Sequence, residues 1–351
     1  MNGDIWNIII KKHITLDAVE NSAAKIISAN SIAVVTRVAV GKLVYMPLEY
    51  ATSQDFISFQ NLSGDHSFFM YLVSKVMHKV KGSLQGTSIK GISKGELLKK
   101  KVIYTLNIKE QKKIGTLLKS LDTILTLYER KLKLLSQVKK YFLDNLFTEK
   151  EYPNLRFKGF TDAWEQRKLG DISEKRIEKN NSLSIDNILS NSAIYGIVKQ
   201  NQYFDKTIAN NIQNYYIVHT NDFIYNPRIS NNAPFGPISR NKLAESGVMS
   251  PLYLVFYFSK KSLSDFFEIY FKSSKWHNFM YMHGNSGARS DRFAIKDNEF
   301  FKMRVKIPHN KSEIDKIYRL NILLNSLITL YESKKQNLNK IKNTLLNTMF
   351  I

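Results

Sequence analysis

Arginine and asparagine side chains in turn-rich loops are the residues of this sequence with the clearest chemistry. An arginine can donate two hydrogen bonds to O6 and N7 of guanine, and an asparagine can pair with N6 and N7 of adenine. Lysines add phosphate contacts that position a nucleic acid without reading its sequence. The candidates for such contacts are Arg37, Lys42, Arg228, Asn231, Asn232, Arg240, Arg289 and Arg292. Any one of them could instead be a solvated charge or a loop-stabilising donor, so the prediction rests on the set.

These candidates lie at the ends of predicted strands or in the loops beside them. Residues 31–37 and 41–46 are β-branched runs that predict two strands, with a turn between them. Residues 226–237 are rich in Asn, Pro and Gly, and residues 283–292 are rich in Gly, Ser and Arg, so both predict loops. Further predicted elements are helices over residues 65–79 and 263–280 and strands over residues 222–225 and 251–258.

The charge balance of the chain indicates a polyanionic partner. Its 351 residues carry 52 Lys and Arg against 30 Asp and Glu, a formal charge of +22, and the pI is near 9.7. Nucleic acid fits this excess better than a membrane surface, because the basic residues are spread along the chain and form no single anchor. The plain alternative is a charge that serves solubility. At this length, two or more domains are expected.

Several classes of site are missing from the sequence. There is no Cys, which excludes disulfides, thiolate nucleophiles and Cys-bound metal. There is no His-Glu-x-x-His pair, no phosphate-binding Gly-Lys-Ser/Thr loop and no Gly-x-Ser-x-Gly elbow. We therefore predict no cofactor, no metal and no catalytic site of these types. The first residues do not resemble a signal peptide, and the longest apolar run, residues 252–258, is too short to span a bilayer. The expected location is the cytoplasm.

An internal repeat organises the chain. Residues 121–147 align without a gap with residues 324–350, at an offset of 203, with ten identities in 27 positions. The offset extends upstream, where Ile92 matches Ile295, Glu96 matches Glu299 and Val102 matches Val305. A unit this long is not a solenoid repeat. It predicts a globular part followed by a long helix, twice, with a near-twofold relation between the copies.

Both repeated helices carry apolar residues at alternating spacings of three and four, which is typical of a coiled-coil seam. Because both seams have the same phase, we expect the two helices to pack against each other. A twofold axis perpendicular to the helices would make this packing antiparallel. About 34 residues of helix would span roughly 50 Å, on the order of one and a half turns of B-DNA. The alternative is a plain dimerisation or bundle helix. The predicted seam residues are Leu117, Leu121, Ile124, Tyr128, Leu135, Leu320, Leu324, Leu327, Tyr331 and Leu338.

In this arrangement the chain resembles the specificity subunit of type I restriction–modification enzymes. Residues 164–172 (Trp-Glu-Gln-Arg-Lys-Leu-Gly-Asp-Ile) resemble the opening of a target recognition domain, and residues 284–301 resemble its closing segment. Residues 22–42 and 51–56 resemble the middle of another such domain, and each helix with its Leu-Tyr-Glu block resembles a spacer helix. Each motif is weak alone, and the order of all of them carries the resemblance.

The resemblance implies a non-catalytic subunit that chooses the DNA sequence. Its partners would be double-stranded DNA with a split target, two methyltransferase subunits and, in a larger complex, restriction subunits. The implied fold is mixed α/β (α+β): recognition domain 1 over residues 1–105, spacer helix 1 over 106–150, recognition domain 2 over 151–305 and spacer helix 2 over 306–351. No counterpart of the 164–172 motif precedes Ser22, so we expect the first domain to be N-terminally incomplete.

Two other functions compete with this interpretation. The first is a coiled-coil scaffold whose basic domains bind protein or RNA. The second is a stand-alone enzyme, suggested by Asn232-Ala-Pro-Phe235, which is similar to the Asn-Pro-Pro-Phe signature of adenine methyltransferases but has Ala at its second position.

Overall fold

The computed structural model describes residues 5–6, 12–37, 39–83, 91–203, 211–285 and 291–350. The chain divides into two compact units. Unit 1 comprises Met1–Leu134 with Thr329–Ile351, and unit 2 comprises Leu135–Ile328. The division falls inside the two long helices, so each unit contains part of each helix.

Unit 1 combines short antiparallel strands with helices. Its described elements are α1 (Leu16–Glu20), β1 (Lys25–Ile27), β2 (Ser31–Val35), β3 (Leu43–Met46), β4 (Tyr50–Thr52), β5 (Phe56–Phe59), α2 (His66–Ser83), α3 (Lys94–Leu98) and the first part of α4 (Ile108–Leu146). The strands form a three-stranded sheet in the order β3-β2-β5, and β1 pairs with β4. The two strands and the helix predicted here are therefore present, with ends that differ by a few residues.

Unit 2 continues from α4 and is richer in strands. Its described elements are β6 (Glu165–Lys168), the 3-10 helix η1 (Leu169–Asp171), β7 (Glu174–Lys175), β8 (Leu189–Ser192), β9 (Gly196–Lys199), α5 (Gln200–Tyr203), β10 (Tyr216–Val218), β11 (Phe223–Tyr225), β12 (Ile238–Arg240), β13 (Gly247–Met249), β14 (Leu254–Tyr257), α6 (Lys261–Tyr270), α7 (His277–His283), α8 (Asp297–Phe300), β15 (Arg304–Ile307) and the first part of α9 (Lys311–Met349). The largest sheet has the order β12-β11-β14-β7, and β15 pairs with β6.

The single helix predicted over residues 263–280 is wrong, because the chain forms α6 and α7 with a break between them. Ser273 Oγ donates to the Tyr270 carbonyl over 2.7 Å, and Trp276 Nε1 donates to the Phe271 carbonyl over 3.1 Å. These side chains satisfy carbonyls at the end of α6 that a continuing helix would have paired.

The two units share a strand topology. In unit 1, β2 pairs with β3 and β5, and β1 pairs with β4. In unit 2, β11 pairs with β12 and β14, and β10 pairs with β13. The duplication seen in the sequence of the helices therefore extends to the sheets. Within the described residues, unit 1 has no strand that matches β6, β7, β8, β9 or β15.

The cores of the two units differ in composition. Unit 2 is built on aromatic rings, with Phe223, Phe256, Phe266 and Phe267 all fully buried and Phe258 stacked on Phe267 at 4.5 Å between ring centroids. Unit 1 has an aliphatic core around β2 and α2 and a second cluster in which α2 packs on both long helices. Large aromatic side chains bury the most apolar surface per residue, so they dominate the stabilisation of unit 2.

Both long helices have the same N-terminal signal, 203 residues apart. Asn107 Oδ1 accepts from the Lys109 backbone N–H over 3.0 Å, and Asn310 Oδ1 accepts from the Ser312 backbone N–H over 2.8 Å. An asparagine cap satisfies one of the unpaired N–H groups at a helix start. Each helix has 39 residues, which is about 58 Å of helix and longer than predicted.

Within each unit the two helices run antiparallel, as predicted. In unit 1, Tyr128 contacts Tyr331 at 5.6 Å between ring centroids, whereas Asp122, nearer the start of α4, pairs with Lys342, nearer the end of α9. In unit 2, the end of α4 shares a core with Ile314 and Ile317 at the start of α9. The predicted fold class, mixed α/β domains with two long antiparallel helices, is confirmed.

The buried stripe of α4 departs from the predicted seam at two positions. Leu121 is buried as predicted, but Leu117 and Ile124 are 42% and 39% exposed. Their neighbours Leu118 and Leu125 are buried instead. A 3.6-residue helix drifts against a strict heptad, and the packing of α4 against α2 favours the neighbouring face.

The other predicted seam residues lie on the inner side of the helices. Leu324 is buried, and the rest are half-buried: Tyr128, Leu135, Leu320, Leu327, Tyr331 and Leu338.

Candidate nucleic-acid interface

The loop between β11 and β12, residues 226–237, contains three of the predicted base-contact residues, Arg228, Asn231 and Asn232. The Asn226 side chain fixes its start, because Nδ2 donates to the Asn191 carbonyl over 2.9 Å while Oδ1 accepts from the Arg228 backbone N–H over 2.9 Å. Gly236 fixes its end, with φ at +84° and a position where a Cβ would stand 2.0 Å from the Asn226 carbonyl oxygen. Only glycine tolerates both conditions. The loop is thus held firmly at its base.

The tip of this loop is a two-residue hairpin that presents Asn231 and Asn232. The backbone groups of Ser230 and Ala233 exchange two hydrogen bonds of 3.0 Å each, which leaves the two asparagines at the turn. Both are exposed. Their amide groups are therefore available to a partner.

Arg228 and Arg292 lie next to each other, although one belongs to the β11–β12 loop and the other to the segment before α8. Their backbones form an antiparallel bridge. The Phe293 N–H donates to the Pro227 carbonyl over 2.8 Å, and the Ile229 N–H donates to the Asp291 carbonyl over 3.0 Å. Two of the predicted loops thus form one surface.

The charge on this surface is only weakly neutralised. The Arg228 side chain is 71% exposed, and its Nε lies 3.7 Å from a carboxylate oxygen of Asp291, which is itself 49% exposed. An exposed ion pair of this kind contributes little and is easily exchanged. A guanidinium so placed can turn to a guanine edge or a phosphate, both of which match its planar pair of donors.

Arg240, predicted as a base contact, is instead a buried structural residue, and we correct that prediction. Its side chain is 4% exposed, and NH1 donates to Asp265 over 2.7 Å and to Glu268 over 3.0 Å. Its Nε donates to the side chain of Asn221 over 3.0 Å. The burial alternates along β12, so the inward position of Arg240 follows from the pleat of the strand. Arg289, also predicted, lies outside the described residues.

Unit 1 has a similar arrangement around Arg37. The Ile92 N–H donates to the Thr36 carbonyl over 2.9 Å, so the segment before α3 crosses the end of β2 next to Arg37, as residues 291–294 cross the end of β11 next to Arg228. The Arg37 side chain is 56% exposed and lies 3.4 Å from Asp55. Lys42 is exposed in the turn before β3. In both units, an exposed arginine with a weak aspartate partner follows the central strand.

A lysine-lined cavity in unit 2 was missed by the sequence reasoning. The end of α4 contributes Lys139 and Lys140, the α6–α7 connection contributes Lys272 and Lys275, and the cavity measures about 880 Å³. Burial lowers the pKa of Lys139. Burial also lowers the pKa of Lys272, Glu268 opposes this shift, and Lys139 adds to it. Neighbouring lysines that disfavour one another's charge favour an anion. The two lysine pairs come from segments that are far apart in the sequence, so no local pattern indicates the cavity.

The outer side of α4 carries an apolar stripe in unit 1. Leu117, Ile124, Leu127 and Leu134 are 42%, 39%, 55% and 59% exposed, at helical spacings of seven and three. A regular apolar stripe on one exposed face of a helix is typical of a surface that packs against another chain.

Two kinds of feature are absent from the described ranges. None of the helices there is both long enough and apolar enough to cross a membrane. No group of three or more His, Asp or Glu side chains there is placed to hold a metal ion.

Comparison with known proteins agrees with this fold. Residues 1–137 match the family described as the type I restriction modification DNA specificity domain. The structure is similar to that of a type I restriction–modification system S subunit from M. genitalium, with a TM-score of 0.58 and 14% identity, over 92% of this chain and 83% of that chain. Among curated proteins, none matches.

A second solved structure points to the same class. It comes from a study of complex assembly and conformational transition of the type I R-M system, with a TM-score of 0.53 and 12% identity, over 93% of this chain and 83% of that chain. At these identities the structural likeness establishes the fold. The fold is that of the type I restriction–modification S subunit, and residues 1–137 match the DNA specificity domain family. The resemblance predicted from the sequence is confirmed.

Proposed function

We propose that this protein selects a split DNA target for a type I restriction–modification complex, with one half-site read by each unit. The observation that carries the proposal is the repeated placement of an exposed arginine after the central strand, Arg228 in unit 2 and Arg37 in unit 1. In unit 2, Arg292 and the hairpin tip Asn231–Asn232 add donors that match guanine and adenine edges.

The lysine cavity supports a phosphate contact beside this reading surface. Four lysines and Asp144 of unit 2 line it. Burial is the main cause of the lowered pKa of Lys272, and Lys139 adds to it, so a phosphate there would favour the charged form of both lysines. Phosphate contacts of this kind set register and produce the salt dependence of binding, while the loops determine sequence.

The experiment is selection of bound sequences from random double-stranded DNA, with the chain alone and with a methyltransferase partner. We expect enrichment of two short motifs at a constant gap. Arg228→Ala should relax one motif and Arg37→Ala the other. The matched control is Arg167→Ala, which removes another exposed arginine, 49% exposed and paired with Glu165, and should leave both motifs intact. Absence of any enriched motif, or enrichment of RNA over DNA, would favour the scaffold alternative.

The helices serve as the spacer in this proposal. Removing one heptad from each of α4 and α9 keeps the antiparallel register and shortens the pair by about 10 Å, or roughly three base pairs. The selected gap should shrink accordingly. An unchanged gap would show that the helices do not set the distance between half-sites.

The exposed stripe of α4 is the proposed contact for the methyltransferase subunits. Its four side chains, Leu117, Ile124, Leu127 and Leu134, would bury apolar surface on docking. Leu127→Asp should abolish co-purification with the methyltransferase, whereas Leu252→Asp should not, although Leu252 is 61% exposed. In this proposal the chain itself is non-catalytic and works in the cytoplasm, where restriction subunits join the larger complex.

A further inference from the structure

Two strand edges that are closed in unit 2 have no strand partner among the described residues of unit 1. In unit 2, β15 pairs with β6, and the outer edge of β14 pairs with β7. Both partners come from one stretch, residues 165–175. In unit 1, β5 corresponds to β14 but pairs with β2 alone, and residues 101–104, which correspond to the region of β15, pair with no described strand.

The apolar side chains at these edges are buried in unit 2 and more exposed in unit 1. Val102 is 41% exposed, whereas Val305, its match at the offset of 203, is 1% exposed. Tyr104 is 38% exposed, whereas Ile307 is 6% exposed. The residue types suit a buried strand in both units, but only unit 2 buries them. Paired apolar side chains that stay exposed mark a surface built for contact.

The backbone that covers this position in unit 2 makes a specific contact. The Leu169 N–H donates to the Met303 carbonyl over 2.8 Å, and the Gly170 N–H donates to the Phe301 carbonyl over 2.9 Å. A Cβ on Gly170 would stand 3.2 Å from that Phe301 oxygen, so a glycine allows the close approach. The matching carbonyls of unit 1 belong to Lys100 and Leu98.

The first turns of the two long helices also differ in burial between the two units. Glu313 is 1% exposed, accepts from Arg156 over 2.7 and 2.8 Å, and lies 3.4 Å from Trp164 Nε1. Glu110 occupies the same position of α4, yet it is exposed and accepts from Thr105 Oγ1 over 2.6 Å. The position that holds an arginine and a tryptophan in unit 2 is open to solvent in unit 1.

A groove in unit 1 runs along residues 100–103. It measures about 380 Å³ and has Leu72 and Val76 of α2 on one side and Val102 and Ile103 on the other. In unit 2, Trp164 packs on Phe266 of the first helix after the sheet, at 5.8 Å between ring centroids.

We propose that unit 1 binds an extended segment of a second polypeptide with the pattern Trp-x-x-x-x-Leu-Gly. The segment would pair with residues 101–104 and with β5, as residues 165–175 pair with β15 and β14 in unit 2. Its Leu-Gly N–H groups would donate to the carbonyls of Lys100 and Leu98. Strand addition to a free sheet edge, with side chains set in pockets, is a common mode of peptide recognition. The proposal does not depend on DNA reading.

The test uses a fluorescein-labelled peptide of residues 162–176, added to the full chain. We expect saturable binding and slower hydrogen exchange at residues 101–104 and Phe56–Phe59. A peptide with Leu169→Asp and Gly170→Val should bind at least tenfold more weakly, because it loses the apolar anchor and the close backbone approach.

Variants of the chain locate the site. Val102→Asp should weaken peptide binding at least tenfold, and Ile194→Asp, at a residue of unit 2 that is 67% exposed, should leave it unchanged. Both variants are checked for unchanged circular dichroism. Val102 is already exposed, so its variant should fold; Tyr104→Asp provides a second variant with the same expectation. The proposal is overturned by absence of binding, by binding that neither variant weakens, or by exchange protection that appears at Arg304–Ile307 instead.

Discussion

Units 1 and 2 have the same arrangement of central strands. They differ in the burial of their ion pairs and in the pairing of their strand edges. The ion pairs described within unit 1 join side chains that are at least 17% exposed. In unit 2, the ion-paired side chains of Arg240, Glu313 and Asp222 are 4%, 1% and 3% exposed. The exposed arginine after the central strand, by contrast, occurs in both. The two units thus have the exposed arginine in common, and they differ in the burial of the ion pairs around it.

The first prediction compares a buried arginine of unit 2 with an exposed one. Arg240→Ala removes the buried partner of Asp265 and Glu268. Their remaining ion-pair partners are Lys242, Lys261 and Lys272. We expect a loss of about 3–5 kcal/mol in the free energy of unfolding of unit 2. Arg228→Ala, at an exposed pair of the same unit, should change it by about 0.5 kcal/mol or less. Urea dependence of hydrogen exchange at amides of unit 2 measures both, and equal losses would remove the distinction between the two arginines.

The second prediction compares the same helix position in the two units. Glu313→Ala removes the buried acceptor of Arg156 and should destabilise unit 2 by about 3 kcal/mol. Glu110→Ala removes an exposed carboxylate and should destabilise unit 1 by about 0.5 kcal/mol. The measurement is again hydrogen exchange, read in each unit separately. A large loss of stability for Glu110→Ala would show that another segment covers this glutamate in solution.

The third prediction tests whether the shared surface feature reads DNA in both units. Arg228→Ala should weaken binding of the selected target by about 1–3 kcal/mol if its guanidinium spans a guanine edge. Arg37→Ala should do the same through the other half-site. Fluorescence anisotropy at moderate salt gives the affinities, with Arg167→Ala as the control. An effect of Arg228→Ala alone would mean that unit 1 contributes no base contact.

The smallest expected effect concerns the lysine cavity of unit 2. Lys139→Gln and Lys272→Gln should each reduce the slope of log affinity against log salt by about one, with equal loss on all sequences. Because burial lowers the pKa of Lys272, this residue loses its proton at a lower pH than an exposed lysine. As pH rises, its contribution should therefore fade before that of an exposed lysine, whose usual pKa is 10.5. If neither substitution changes the affinity or its salt dependence, the phosphates do not bind at this cavity.

Local patterns in the sequence were reliable where the elements are long. The spacing of apolar residues predicted both helices within a few residues of Ile108–Leu146 and Lys311–Met349, because a 3.6-residue period repeated over ten turns is hard to mistake. The strands of three residues, such as β10 and β13, carry too few alternations to be recognised. The antiparallel packing followed from the equal phase of the two seams together with a twofold axis perpendicular to the helices.

The candidate site was predictable by residue type but not by position. Arg228 and Arg240 flank one loop and look alike in the sequence, yet one is 71% exposed and the other is 4% exposed. Strand pleat and the carboxylates of α6 decide this difference, and α6 lies more than twenty residues further along the chain. The lysine cavity depends in the same way on two segments that fold together.

The sequence by itself determined the duplicated plan of this protein: its basic charge, its two long helices, their expected antiparallel packing and the order of its motifs. These properties depend on residues close together in the chain or on one constant offset. Only the tertiary structure decided which charges face solvent, which loops meet, and which copies of a repeated strand are covered. Burial and pairing depend on contacts between distant segments, so two matched residues such as Val102 and Val305 can share a sequence pattern and differ entirely in environment.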